Sequence, residues 1–202
     1  MRTRDKAILS DLQKFRCMSR DDIIDLHFGG LKNAVTCCNT VMKRLRRDGY
    51  VDANVSQQPY IYFPQPSTVR KTSQKIPHFL GIVDVYKQLI HFEQPKVFNV
   101  EPKYRKEHME PDAFTIWRKA PFFIEVQKSV YSKSVMQEKI NRYEYYYASL
   151  EWQNESWQPK NSKFFPSILI ITDKHYDINS SNLRIFQATS INEFMNIITV
   201  RS

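Results

Sequence analysis

The chain has 202 residues, of which 42% are hydrophobic and only 4 are glycine, so it is neither collagen-like nor broadly disordered. Its 30 lysine and arginine residues outnumber 21 aspartate and glutamate residues, and the net charge of +9 favours polyanionic partners, either nucleic acid or an anionic membrane surface. The apolar run that ends at residue 171, like every other in the chain, is far shorter than the roughly 20 residues of a membrane span. The N-terminus also lacks the apolar core of a secretory signal. We therefore expect a cytoplasmic protein that does not enter a membrane.

A polar segment over residues 65–76 separates two regions that show apolar periodicity. It contains proline, serine and lysine but no repeated apolar spacing, which is typical of a connector. We therefore predict a first domain over residues 1–64, a linker over 65–76 and a second domain over 77–202.

The first domain contains three helical patterns followed by two short β-prone runs. The patterns predict helices over residues 4–15, from Ser19 onward and over 31–48. The runs at 50–55 and 60–63 predict a hairpin. Three helices followed by a hairpin are typical of a winged helix-turn-helix domain, whose third helix enters the major groove of DNA.

The third predicted helix has an apolar stripe and an opposite basic face. The stripe consists of Leu31, Val35, Cys38, Met42 and Leu45. Lysine and arginine suit phosphates or guanine, whereas asparagine and threonine suit base edges. The candidate DNA-binding residues are Lys32, Asn33, Thr36, Thr40, Lys43 and Arg47. Two alternatives remain open: the face is merely solvated, or the domain contacts only protein.

The second domain alternates helical and β-prone patterns. The predicted order is helix 78–92, strands 96–100, 113–117 and 121–126, helix 134–150, strand 167–172, strand 183–187 and helix 191–198. This order predicts a mixed α+β fold in which a sheet is covered by helices.

Carboxylates on two neighbouring strands of the second domain form a candidate metal site. Asp112 leads into the second strand, while Glu125 and Gln127 lie two residues apart on the third and share a face. Converging carboxylate oxygens suit Mg²⁺ or Mn²⁺. In the alternative without metal, Glu110 and Glu125 form ion pairs with nearby cations. The cations considered are Arg118, Lys119 and Lys128, whereas Lys139 and Arg142 on the next helix are either phosphate contacts or solvent-exposed.

The dipeptide Pro111–Asp112, followed after a hairpin by Glu125–Val126–Gln127, resembles the PD-(D/E)XK nuclease signature. A winged helix before such an αβββαβ core resembles the replication-relaxation family of bacterial plasmids, phages and integrative elements. The sequences HFL at 78–80 and KINRY at 139–143 belong to this likeness. The fold class that the resemblance implies is α+β, with an N-terminal winged helix-turn-helix and a PD-(D/E)XK-like domain.

The resemblance implies roles for four residues of the core. Asp112 and Glu125 would bind Mg²⁺ or Mn²⁺ together with the backbone carbonyl of Val126. The catalytic set would be Asp112, Glu125 and Gln127, and Gln127 replaces the usual lysine as the group that positions water. A neutral amide cannot supply the positive charge that stabilises a phosphoryl transition state, and the replication-relaxation family itself points to a nuclease-derived fold used mainly for binding.

We therefore expect a DNA-binding protein of a bacterial mobile element that acts in replication or its control. One alternative is a Mg²⁺-dependent DNA endonuclease with Asp112 and Glu125 as metal ligands. Another is a transcriptional regulator whose C-terminal domain recruits protein partners. Double-stranded DNA is the expected partner, a membrane is not, and a homodimer remains an open alternative.

Overall fold

The computed structural model describes residues 1–105 and 107–200, which form a mixed α+β structure with two sheets. The helices are α1 (Thr3–Phe15), α2 (Arg20–His27), α3 (Ala34–Arg47), α4 (Ile76–Phe92), α5 (Lys133–Ser149) and α6 (Ile191–Val200), with a short 3₁₀ helix at Glu151–Asn154. The strands are β1 (Met18–Ser19), β2 (Val51–Asn54), β3 (Ile61–Pro64), β4 (Val97–Val100), β5 (Ala113–Trp117), β6 (Ala120–Gln127), β7 (Ser167–Thr172) and β8 (Ile185–Ala188). Within the described ranges, no helix is both long and apolar enough to span a bilayer.

The chain divides into two compact units, residues 1–87 and 88–202, and the division falls inside α4. The first unit contains α1, α2, α3 and an antiparallel sheet of strand order β1-β3-β2. The three predicted helices and the hairpin are therefore confirmed. The sequence did not reveal β1, because two residues are too few to show alternation.

Local signals fix the helix ends of the first unit. Helix α2 begins after Ser19, whose hydroxyl accepts the Asp22 N–H at 3.0 Å while the Asp22 carboxylate accepts the Ser19 N–H at 3.0 Å. Helix α3 ends before Gly49, which has φ +78°, a conformation that glycine adopts without steric cost.

The predicted apolar stripe of α3 is wrong at its N-terminal end. Cys38, Met42 and Leu45 are buried, but Leu31 and Val35 are 39% and 49% exposed. Leu31 precedes the first helical residue, so helical periodicity does not set its direction. Val35 lies in the first turn of α3, and its side chain is exposed to solvent although it follows the helical spacing of the buried residues.

The second unit has a five-stranded sheet of order β4-β5-β6-β7-β8, in which β4, β5 and β6 are antiparallel and β7 and β8 join in parallel. The predicted element order is confirmed. Alternate residues of β6 point to opposite faces of the sheet. On one face Phe123 contacts Tyr143 of α5, and on the other Phe122 contacts Phe194 of α6. Glu125 thus lies on a strand that is covered on both sides.

Helix α4 contributes residues to both units. Tyr86 packs on Phe15 with ring centroids 5.2 Å apart, and Lys87 forms an ion pair with Asp22 at 2.8 Å. The next residue, Gln88, accepts the Ile191 N–H at 2.8 Å. The compact units therefore divide later in the chain than the predicted linker at 65–76.

We expect proteases to cut first within residues 65–75, which contain neither helix nor strand and are mostly exposed. The two pieces should remain together in solution because Tyr86 and Lys87 pack on the N-terminal piece. Denaturing gels should show two fragments, whereas size-exclusion chromatography should show the elution volume of the intact chain. An earlier cut within α4, or separation of the pieces, would contradict this expectation.

Candidate nucleic-acid interface and carboxylate cluster

The side of α3 opposite its buried stripe is exposed and basic. The predicted DNA-binding residues Lys32, Asn33, Thr36, Thr40, Lys43 and Arg47 are all exposed. The last four follow one another at intervals of three and four residues, so they share one face of the helix. Lys32 and Asn33 precede the helix, and the Asn33 side chain makes no capping hydrogen bond. The structure therefore presents all six side chains to solvent.

Few intramolecular contacts engage the charged groups of this face. Thr40 donates its hydroxyl hydrogen to the Thr36 carbonyl at 2.9 Å, and Arg47 donates to Asp48 at 2.9 Å. Among the described residues, Lys43 forms no ion pair. An exposed cation that lacks an internal partner can bind a phosphate without first breaking an internal interaction.

The structure adds one basic and one amide residue beside this face that were not predicted from the sequence. Asn39 and Arg46 are exposed and lie four residues before and three residues after Lys43. They line a cleft of about 550 Å³ between α3 and the β2–β3 pair. Residues three or four positions from Lys43 lie next to it on a helix, so the sequence could have indicated both. The predicted DNA-binding face did not include them.

A second cleft, of about 480 Å³, is also basic. Arg2 and Arg44 line it together with Lys43 and Arg47. Arg44 Nη2 lies 2.7 Å from Oδ1 of the buried Asp5, and this ion pair holds the Arg44 side chain in place. Lys43 and Arg47 line both clefts, so the exposed face of α3 is bordered by additional cations.

In the second unit, the strand register brings the predicted carboxylates together. Ala113 pairs with Ile124 across β5 and β6, which places the preceding Asp112 beside Glu125. The Asp112 carboxylate accepts the Val126 N–H at 2.7 Å. Gln127 is on the same strand, but its side-chain amide donates to the Ser129 carbonyl at 2.5 Å. The structure thus groups the predicted residues, with the Gln127 amide held by its own loop.

Glu125 is 1% exposed, and both of its carboxylate oxygens contact side chains of α5. Oε1 accepts the Tyr143 hydroxyl hydrogen at 2.5 Å, and Oε2 lies 2.5 Å from Nζ of Lys139. Burial raises the pKa of Glu125 to about 7, while the Lys139 ammonium acts in the opposite direction. Although burial lowers the pKa of Lys139, the neighbouring carboxylates raise it above its ordinary value.

Glu125 therefore forms an ion pair, but its cation differs from those considered for it in the sequence. Lys139 is its partner rather than Arg118, Lys119 or Lys128. The Oε2 atom of Glu110 lies 3.7 Å from Nζ of Lys103, so Glu110 also pairs with a cation that was not considered. Both of these side chains are largely exposed. Arg142 lies 3.6 Å from Glu138 in an exposed pair, so it does not join the cluster.

The cluster does not fit a divalent cation in this arrangement. Among residues 1–105 and 107–200, no three histidine, cysteine, aspartate or glutamate side chains converge as ligands for one ion. Mg²⁺ prefers about six oxygen ligands in near-octahedral geometry, whereas a lysine cation already neutralises Glu125.

Residues 62–160, about half of the chain, match the family described as replication-relaxation. The matched range contains Asp112, Glu125, Gln127 and Lys139, and it begins after α3. This match confirms the resemblance to the replication-relaxation family over residues 62–160. No curated protein and no solved structure matches the chain.

Proposed function

Because residues 62–160 belong to the replication-relaxation family, we propose that this protein acts in the replication of a mobile element, or in the control of that replication, by binding duplex DNA. The observation that carries the DNA-binding part is the exposed face of α3. It presents Thr36, Thr40, Lys43 and Arg47 at helical spacing, and it includes no acidic residue. Such a face suits an anionic groove.

The order of elements in the first unit supports a winged helix-turn-helix. Three helices come first, and the hairpin of β2 and β3 follows the third helix directly. In such domains the third helix enters the major groove and the residues near its N-terminus contact base edges. Asn33 and Thr36 would then contact bases, while Lys43 and Arg47 would contact phosphates.

The clefts beside α3 support the same proposal. The two phosphate backbones of a duplex border the major groove, so they would pass on either side of an inserted helix. Arg46 lines one cleft, and Arg2 and Arg44 line the other. Cations at these positions would add phosphate contacts that fix the register of α3 on DNA.

The second unit would support this function without cleaving DNA. Its strand order fits a PD-(D/E)XK-like core, but Glu125 contacts Tyr143 and Lys139 through its two oxygens. The endonuclease alternative needs both Asp112 and Glu125 as ligands of a catalytic cation. We therefore propose a core retained for binding or assembly rather than for hydrolysis.

Two assays on the full chain test the proposal. Fluorescence anisotropy with a labelled short duplex should show binding that weakens steeply as salt rises, because phosphate contacts release counterions. Incubation with supercoiled DNA and Mg²⁺ or Mn²⁺ should leave the DNA uncut. The DNA-binding proposal fails if no duplex binds at low salt. Cation-dependent cutting that Asp112→Asn abolishes would favour the endonuclease alternative.

A further inference from the structure

We infer that the ammonium group of Lys139 takes the place of a divalent cation beside Asp112 and Glu125, so that the chain neutralises this cluster from within. The inference concerns the second unit and stands whether or not α3 binds DNA. It assigns to Lys139 a role that neither the sequence motif nor the family match gives it.

The need for a cation at this place follows from the sheet. The register of β5 and β6 puts Asp112 beside Glu125, and the Glu125 side chain is 2% exposed. Two neighbouring carboxylates that share little water repel each other unless one is protonated or a cation compensates them. Lys139 Nζ, 2.5 Å from Glu125 Oε2, provides that compensation.

The other contacts leave little room for a metal coordination shell. Tyr143 donates to Glu125 Oε1, and the Val126 N–H donates to Asp112 Oδ2. Glu125 Oε2 forms no hydrogen bond with good geometry, but it lies in ion-pair contact with Lys139 Nζ. A divalent cation would have to displace these groups, and it would bring a second cation against the lysine ammonium.

Helix geometry explains how two groups of α5 reach the same carboxylate. Lys139 and Tyr143 are four residues apart, so they lie one turn from each other on the same side of the helix. Between them Ile140 is fully buried in the core against the sheet, which holds that side of α5 toward β6. A lysine is rarely placed next to a core unless it has a charged partner.

Ions from solvent can reach the cluster of Asp112 and Glu125, so a closed surface does not keep metal ions out. The Lys139 side chain is 25% exposed and lines a pocket of about 290 Å³ together with Arg142 and the carboxylates of Glu110 and Glu138. Ions from solvent can therefore reach the lysine end of the cluster. The charge of Lys139, rather than a closed surface, is what we expect to keep cations out.

The test compares the thermal unfolding of the full chain in EDTA with that in millimolar Mg²⁺ or Mn²⁺. The wild-type Tm should be the same in all three conditions. The Tm of Lys139→Met should rise with Mn²⁺ concentration, because the carboxylates then need another cation, and Mn²⁺ binding should broaden its electron paramagnetic resonance signal. Adding Asp112→Asn to this variant should remove both effects.

Lys133→Met is the matched control, because Lys133 lies on the same helix and pairs with the exposed Asp177. It should show no Mn²⁺ response. A wild-type Tm that rises with Mn²⁺ and loses this response in Asp112→Asn would overturn the inference, as would a folded Lys139→Met that ignores Mn²⁺.

If Lys139→Met does not fold in EDTA, the inference still predicts that Mn²⁺ restores its structure. The double variant Lys139→Met with Glu125→Gln should fold without any cation, because it has lost the buried carboxylate as well as the ammonium. A Lys139→Met chain that stays unfolded in Mn²⁺ would overturn the inference.

Discussion

Replacing Lys32, Lys43 and Arg47 together by alanine is expected to weaken duplex binding at least about tenfold at fixed salt. All three side chains are exposed, so their loss should leave the folded structure intact. Each phosphate contact releases a counterion, and the slope of log affinity against log salt should therefore fall by up to about three. Anisotropy titrations at several salt concentrations measure both quantities, and circular dichroism checks the fold.

The matched control removes the same charge from elsewhere in the first unit. Lys6, Arg70 and Lys75 are exposed and lie outside α3, so their joint replacement by alanine should reduce affinity far less. Equal losses in the two triple variants would mean that net charge alone attracts DNA. An unchanged affinity after the first replacement would remove α3 from the interface.

Lys139→Met is expected to lower the free energy of unfolding by about 1–3 kcal/mol at neutral pH, because it leaves Glu125 buried without its cation. Burial raises the pKa of Glu125 to about 7, so this carboxyl can take up a proton, which limits the cost. The penalty should shrink at about pH 5, where a buried carboxyl without a cation takes up a proton and becomes neutral. Urea unfolding at the two pH values measures the difference.

Two further variants separate the buried pair from ordinary loss of charge. Lys133→Met breaks an exposed pair on the same helix and should cost no more than about 1 kcal/mol. Combining Lys139→Met with Glu125→Met should recover most of the lost stability, because no buried charge remains. Lys139→Met as stable as the wild type at both pH values would show that the pair contributes nothing to folding.

Much of the fold could be predicted because each element carries its own period. Helix α5 and the strand β7 differ from their predicted bounds by no more than one residue at either end. The predicted domain boundary lies before α4, whereas the compact units divide within this helix. Its periodicity identifies a helix, but periodicity does not say that Tyr86 packs on Phe15 of the first unit.

The candidate site was predictable where it depends on strand alternation and hidden where it depends on packing. The nearness of Asp112 and Glu125 follows from two adjacent strands, and the register confirms it. The partner of Glu125 comes from a helix that covers the sheet. The spacing of Lys139 and Tyr143 shows that they share a helix side, but many exposed helices have such pairs. Only the packing of α5 on β6 identifies Lys139 as the partner.

Helix α4 also determines where recombination could transfer the N-terminal part of this protein to another chain. A fragment that ends at residue 64 keeps α3 and its basic face, but it removes the Tyr86 ring from Phe15 and the Lys87 ammonium from Asp22. A fragment that ends at residue 87 retains both contacts. Exchange of gene segments would therefore preserve the N-terminal unit when the crossover lies beyond the first three turns of α4.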